Sequence, residues 1–258
     1  MFINIDDTDI NYEIFGDENS KPLLVLHGWM ASINAMAPIW KYFQNSRKVI
    51  VLDFPGQGGK SKEPPVSWGV PEYGEMVKHF IEKLGLEKVD VIGHSFGGRV
   101  IIYLASKYPE IFDKIVLTDA AGIKPKMTFK KWIRIRSYKM GKFFIKLVTP
   151  KDKYEEKINE LRKKYGSSDY ASISSDVMRE TFNKVISLDL SDKLKEIKNP
   201  TLLMWGENDI DTPLYMAKKM EREIKDSGLV VLKGAAHFSY IDSPNEYNLI
   251  VENFLGGN

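Results

Sequence analysis

The strongest constraint on this chain is a rhythm in which short, almost wholly apolar runs end in turn residues and give way to helical patterns. The runs are PLLVLHG (22–28), KVIVLDFPG (48–56), KVDVIGHS (88–95), DKIVLTDAAG (113–122), NPTLLMWGEND (199–209) and GLVVLKGAAH (228–237). Strands that are apolar on both faces need cover on both faces, which a parallel sheet between two helical layers provides. Periodicity near 3.6 predicts those helices at about 35–44, 71–84, 96–108, 213–226 and 244–254. Residues 1–15 alternate apolar and polar about DDTD, which predicts an antiparallel hairpin ahead of the repeating pattern. The expected fold class is α/β.

The rhythm stops once, between about Ile123 and Leu190, where no comparable strand occurs. In TFKKWIRIRSYKMGKFFIKLV, Phe129, Trp132, Ile133, Met140, Phe143, Phe144 and Leu147 recur at helical spacing, with basic residues mostly on the other side. The expected organisation is a core made of 1–122 and 190–258, with a helical insertion at 123–189 lying over the carboxyl ends of the strands. No internal repeat or Gly/Ser linker suggests tethered domains.

Composition narrows the chemistry. The chain has no cysteine among its 258 residues, so disulfides, thiol nucleophiles and thiolate metal sites are excluded. No apolar run reaches the ~18 residues of a membrane span. The opening MFINIDDTDINYE is acidic and alternating, unlike a secretory signal, and the expected location is cytoplasmic. A net charge of +2 conceals an uneven distribution. Residues 124–165 hold 15 Lys or Arg against 4 Asp or Glu, while the remainder holds 22 against 31.

Reactive groups of an open parallel sheet gather beyond the carboxyl ends of its strands. GHSFGG fits G-x-S-x-G through Gly93, Ser95 and Gly97, between the run VDVI and the helical FGGRVIIYLASKY. Small residues there allow a sharp strand-to-helix turn with a serine at its apex. A serine hydroxyl needs a neighbouring base, and histidine, with a pKa near 7, suits. Of the four histidines, His79 falls within an amphipathic helix and reads as solvated, His94 reads as structural beside the serine, and His27 reads as a loop residue. His237, after the last strand and before the last helix, is the expected base. WGENDIDTP offers the acid that would orient it: Asp209 is preferred, Asp211 is the fallback and otherwise a helix N-cap, and Glu207 is a weaker third. The backbone N–H groups of Phe96, after the serine, and of Trp29, beside Gly28, are the expected oxyanion donors.

HGW (27–29), DFPGQGGKS (53–61), GHSFGG (93–98), WGENDIDTP (205–213) and GAAHFSYIDSPNEY (234–247) resemble, in order and spacing, the motifs of the cap-bearing, esterase-like serine hydrolases of the α/β-hydrolase superfamily. The resemblance implies a mostly parallel eight-stranded sheet whose first strands are antiparallel, a cap at 123–189, the triad Ser95, Asp209 and His237, and neither cofactor nor metal. A serine at position 95 excludes the family's dehalogenases and epoxide hydrolases, which attack with aspartate there. Gly28, Met30, His94, Phe238 and Trp132 are the expected pocket residues. DFPGQGGKS ends like a phosphate loop, yet Phe54 stands where that loop needs glycine. Gln57 replaces the histidine common in the family's turn, a change expected to affect loop packing alone.

The expected reaction is hydrolysis of a small-molecule carboxylic ester through an acyl-enzyme, with an apolar acyl pocket beneath the cap. Carbon-carbon hydrolases of ring-fission products are the second reading, although they usually carry tryptophan where this chain has Phe238. HGW also occurs in cofactor-free perhydrolases, so peracid formation stands as a side activity. A ligand receptor or scaffold with little turnover is the alternative of a different class. The basic segment reads either as a solvated helix face or as a site for an acidic partner: an acyl carrier protein, a coenzyme A thioester or an anionic lipid surface. Nucleic acid is not expected, since no recognised binding fold accompanies the basic helix.

Overall fold

The computed structural model describes residues 1–125, 129–165, 170 and 173–256. Its sheet has eight strands: β1 (Phe2–Ile5), β2 (Thr8–Phe15), β3 (Pro22–Leu26), β4 (Lys48–Leu52), β5 (Val89–His94), β6 (Phe112–Thr118), β7 (Thr201–Gly206) and β8 (Ser227–Leu232). They lie in the order β1-β2-β4-β3-β5-β6-β7-β8. The β1–β2 and β2–β4 pairs are antiparallel and all other pairs parallel. The expected hairpin forms because Asp6 and Asp7 both take positive φ, 48° and 62°, which suits the twist of a two-residue turn.

Helices cover both faces. On one side α2 (Val70–Lys83), α3 (Phe96–Lys107) and α7 (Leu214–Glu223) bury Tyr73, Phe80, Ile101, Leu104 and Met216 against Leu24, Leu26, Val91 and Leu117. On the other, α1 (Ala37–Phe43) and α9 (Pro244–Leu255) bury Phe43, Tyr247 and Val251 against Val25, Val49, Ile92 and Met204. These assignments match the expected helices to within a few residues at each end. Strand side chains alternate between the two clusters, as the pleat requires. A short helix α8 (Ser239–Asp242) precedes α9.

Between β6 and β7 the described residues form α4 (Phe129–Val148), α5 (Lys151–Tyr165) and α6 (Asp176–Ser187), with no strand among them. Parts of the expected insertion, 126–128, 166–169 and 171–172, lie outside the described residues. The three helices are fastened very differently. Arg99 of α3 is buried and donates through Nη1 to the carbonyls of Val185 and Leu188, both at 2.8 Å, tying the end of α6 to the helix that follows Ser95. Thr181 of α6 accepts the N–H of Trp68 at 3.0 Å. By contrast, α4 packs substantially only on α5 among the described elements.

Its apolar stripe faces water. Phe143 is 63% exposed and Leu147 70%. The face of α4 resting on α5 is the one bearing Gly141, where Leu161 lies close. Trp132 accordingly stacks on Phe129 of its own helix, with the Arg136 guanidinium 4.7 Å over its ring, and its neighbours there are not the triad loops.

Candidate active site

β5 ends at His94, and the chain turns at Ser95 with φ 48° and ψ −105°, a conformation that costs a non-glycine residue about 1–3 kcal/mol. Hydrogen bonds hold it from both sides: Ser95 N–H donates to Thr118 O at 3.0 Å, and Ser95 O accepts from Ala121 and Arg99 at 2.9 and 3.1 Å. The turn also demands bare backbone. A Cβ at Gly93 would lie 2.7 Å from the carbonyl carbon of Gly97, and one at Gly97 would lie 2.4 Å from Leu26 O. The motif's glycines are therefore steric requirements of the serine's position.

Ser95 Oγ lies 3.1 Å from His237 Nε2, and His237 Nδ1 lies 2.9 Å from Asp209 Oδ2. Asp209 is itself fixed. Its Oδ1 accepts the N–H groups of Asp211 at 2.8 Å and Thr212 at 2.9 Å, and its Oδ2 accepts the Thr212 hydroxyl at 2.6 Å. Burial alone would raise the Asp209 pKa, but the hydrogen bonds from His237 and Thr212 outweigh it and hold the group below its usual value. Burial alone would lower His237, and the hydrogen bond and charge of Asp209 outweigh that too, raising it above 6.5. The geometry thus couples Asp209, rather than Asp211, to the imidazole. The N-cap reading of Asp211 is corrected, since α7 opens at Leu214 with Pro213 at its N-cap.

Among the described residues, Asp209, Asp211 and His237 also bring acid and histidine ligand atoms within 4.8 Å of one another. Asp209 spends both oxygens on the four bonds above, so the trio's geometry is that of an oriented imidazole rather than of a cation cage.

The other histidines separate cleanly. His27 Nε2 accepts the Phe54 N–H at 2.9 Å, so its proton is on Nδ1, which donates to Gly28 O at 2.7 Å. Burial pushes its pKa down to about 4. His94 donates through Nε2 to the His237 carbonyl at 2.7 Å, and burial together with the neighbouring His237 pushes it down to about 3. It stands behind the base as a backbone support rather than as pocket lining, which corrects that expectation. His79 is exposed and pairs with Asp6 at 2.7 Å.

Of the remaining expected pocket residues, Gly28 abuts Ser95, a Cβ there coming 3.4 Å from the serine's Cβ. Phe238 is 44% exposed beside His94 and His237, and Met30 is an exposed residue at φ 54°. The Met30 N–H donates to Gln57 Oε1 at 2.6 Å, so Gln57 orders the loop of Gly28 and Trp29 and does more than the expected loop packing. The Gly97 N–H is taken by His27 O at 3.1 Å, whereas the N–H groups of Trp29 and Phe96 have no acceptor among the described residues. Those two donors remain for an incoming oxygen. The Trp29 ring leans on Phe96 and on Phe182 of α6, which joins Ile173 and Met178 in an apolar cluster. The GKS-ending turn wraps an acid, not a phosphate: Asp53 accepts the N–H groups of Ile33 and Lys60 and the amide of Asn11, at 2.7–2.8 Å.

Asp119 escaped the sequence reading. Fully buried at the end of β6, with φ 44°, it accepts the Gly206 N–H at 2.8 Å and the Ser239 N–H at 3.1 Å. Its carboxylate therefore ties the loop carrying Asp209 to the loop carrying His237. Burial, only partly offset by Ser239 and Gly206, pushes its pKa up to about 7. The signal available was its place after a strand in DKIVLTDAAG, the same rule that located Ser95, Asp209 and His237.

Comparison with known proteins agrees with this architecture. The alpha/beta hydrolase fold family matches residues 21–157, and the TAP-like protein family matches 183–256. The chain belongs to the alpha/beta hydrolase fold family, and its class is hydrolase. It is 22% identical to an uncharacterized hydrolase, YugF, of Bacillus subtilis, over 97% of this chain and 96% of that one. It is 24% identical to a pimeloyl-(acyl-carrier protein) methyl ester esterase of Nitrosospira multiformis, over 87% of this chain and 90% of that one. Among solved structures, the enol-lactonase of Burkholderia xenovorans superposes with a TM-score of 0.76 at 18% identity, covering 99% of each chain.

Proposed function

We propose that the protein hydrolyses carboxylic esters through an acyl-enzyme on Ser95. The observation that carries this reading is the continuous chain Ser95 Oγ, His237 imidazole, Asp209 carboxylate, with hydrogen-bond separations of 3.1 and 2.9 Å. Ser95 attacks the carbonyl carbon as His237 Nε2 takes its proton, and Asp209 stabilises the imidazolium and keeps Nε2 directed at the serine. The carbonyl oxygen, now anionic, is received by the N–H groups of Trp29 and Phe96, each such donor being worth about 2.7–4 kcal/mol. His237 then protonates the departing alcohol. Water, deprotonated by the same imidazole, releases the acid and restores Ser95.

The segment 123–189 acts as a cap, and α6 is its working part. Trp29, Ile173, Met178 and Phe182 form an apolar wall for the acyl group, consistent with their clustering beside the loop that precedes the oxyanion donors. One relative named above is described as a methyl ester esterase, which supports an ester carbonyl as the reacting group.

Labelling with a serine-reactive fluorophosphonate tests the assignment. Wild type is expected to label stoichiometrically and Ser95→Ala not at all; an unlabelled wild type, or labelling that persists in the variant, overturns it and favours a receptor or scaffold. A panel of nitrophenyl esters of increasing acyl length is expected to show a length optimum that shifts in Phe182→Ala.

A further inference from the structure

The exposed stripe of α4 has no role in the reaction above, yet it is the most unusual surface of the molecule. Phe129, Ile133, Met140, Phe144 and Leu147 recur at intervals of four, seven, four and three residues, so they form one line along the helix, and all are exposed. A contiguous apolar face of this size on a soluble surface marks an interaction site. What covers it is indicated by charge. The helix carries seven Lys or Arg and no acidic residue. Lys139, Lys142 and Lys146, spaced three and four apart, make an exposed row about a third of a turn from the apolar line, with the exposed Trp132 and Phe143 between the two.

Apolar side chains including Trp and Phe, bordered by cations and lying on a helix too polar to cross a bilayer, have the pattern of helices that lie in a membrane interface. We propose that α4 docks the protein on an anionic lipid bilayer, with Phe144 and Leu147 entering the acyl boundary and the lysine row contacting acidic headgroups. A second copy of the chain fits less well, because pairing two copies of a helix with seven Lys or Arg and no acidic residue sets like charge against like charge. An acidic carrier protein would satisfy the lysines and leave the aromatic and aliphatic side chains in water. The reading is independent of the chemistry at Ser95, so either can fail alone.

The test is sedimentation of the full chain with vesicles of phosphatidylcholine alone and with 30% phosphatidylglycerol. Binding at least tenfold tighter to the anionic vesicles at low salt, weakened at least tenfold in 0.5 M NaCl, is expected. Phe144→Asp/Leu147→Asp and Lys142→Glu/Lys146→Glu should each reduce that binding at least tenfold while hydrolysis of a short soluble ester and the circular dichroism spectrum stay unchanged. Equal binding to both vesicle types, no binding to either, or unaltered binding by both double variants overturns the proposal. So does a wild-type dimer in light scattering that becomes monomeric in Phe144→Asp/Leu147→Asp, which would assign the stripe to self-association.

Discussion

The loops beyond β5, β7 and β8 and the helix α4 treat their side chains in opposite ways. Around Ser95 the acids and His27 are held by several bonds each: Asp209 accepts four hydrogen bonds, Asp119 two, and His27 uses both ring nitrogens. Along α4 large apolar side chains meet water, and one neighbouring helix supplies the substantial packing. Groups held by several directed bonds have few low-energy arrangements and suit atoms that must stay within tenths of an ångström. A loosely packed helix with an unpaired face suits contact with something outside the molecule. The difference teaches that the proposed reaction and the proposed membrane docking fall in separable parts of this chain.

Substitutions can break that separation or sharpen it. The largest effect is expected at the base: His237→Ala should lower kcat by about 10⁴ or more, measured with a nitrophenyl ester. Asp209→Asn should cost about 10³–10⁴ while retaining the fold, since it removes the charge and the tautomer control without changing size. The pH profile adds a sign. His237 must be neutral to act, and Asp209 raises its pKa, so kcat/KM should climb through an apparent pKa above 6.5. The linked stability contribution of protonated His237 is full below 6.5 and is lost as pH rises through that higher value. In Asp209→Asn the midpoint should move downward; an unmoved midpoint would mean that another group limits the rate.

Smaller effects separate supports from chemistry. Asp119→Ala should reduce kcat about 10–100-fold with KM little changed, because two loops lose their common anchor and the reacting distance drifts. A fall in thermal stability without a kcat effect would reduce Asp119 to a structural role. Gln57→Ala, which frees the Met30 N–H, should cost roughly tenfold or less through a less ordered oxyanion loop. At the bottom of the scale, Trp132→Ala should leave hydrolysis of a short ester within about twofold, since its ring packs within α4. A tenfold loss would show that α4 reaches the site during turnover.

Much of the site could be read from the sequence because one rule, polar residues just past apolar strands, applies to Ser95, Asp209 and His237 alike. The hairpin was equally legible, through alternation about Asp6 and Asp7, whereas the antiparallel entry to the sheet followed from the resemblance to the α/β-hydrolases. Asp119 obeys the same rule and was passed over; its role was not legible, because its partners, Gly206 and Ser239, stand 87 and 120 residues away and are backbone groups that no side-chain pattern announces. Gln57 was misjudged for a related reason, its function being a bond to the Met30 amide across 27 residues. The stripe of α4 shows the limit of periodicity: spacing establishes that Phe129, Met140 and Leu147 share a face, and says nothing of whether protein, lipid or water lies against it.

The most direct measurement of the central claim is a rapid-quench experiment with a nitrophenyl ester, followed by peptide mapping of the trapped adduct. The account predicts a burst of nitrophenol equal to the enzyme present, with the acyl mass on the peptide containing Ser95 and the burst abolished in His237→Ala. Turnover without a burst, and with no acyl mass on Ser95 in acid-quenched enzyme, or an adduct on any other residue, would contradict it.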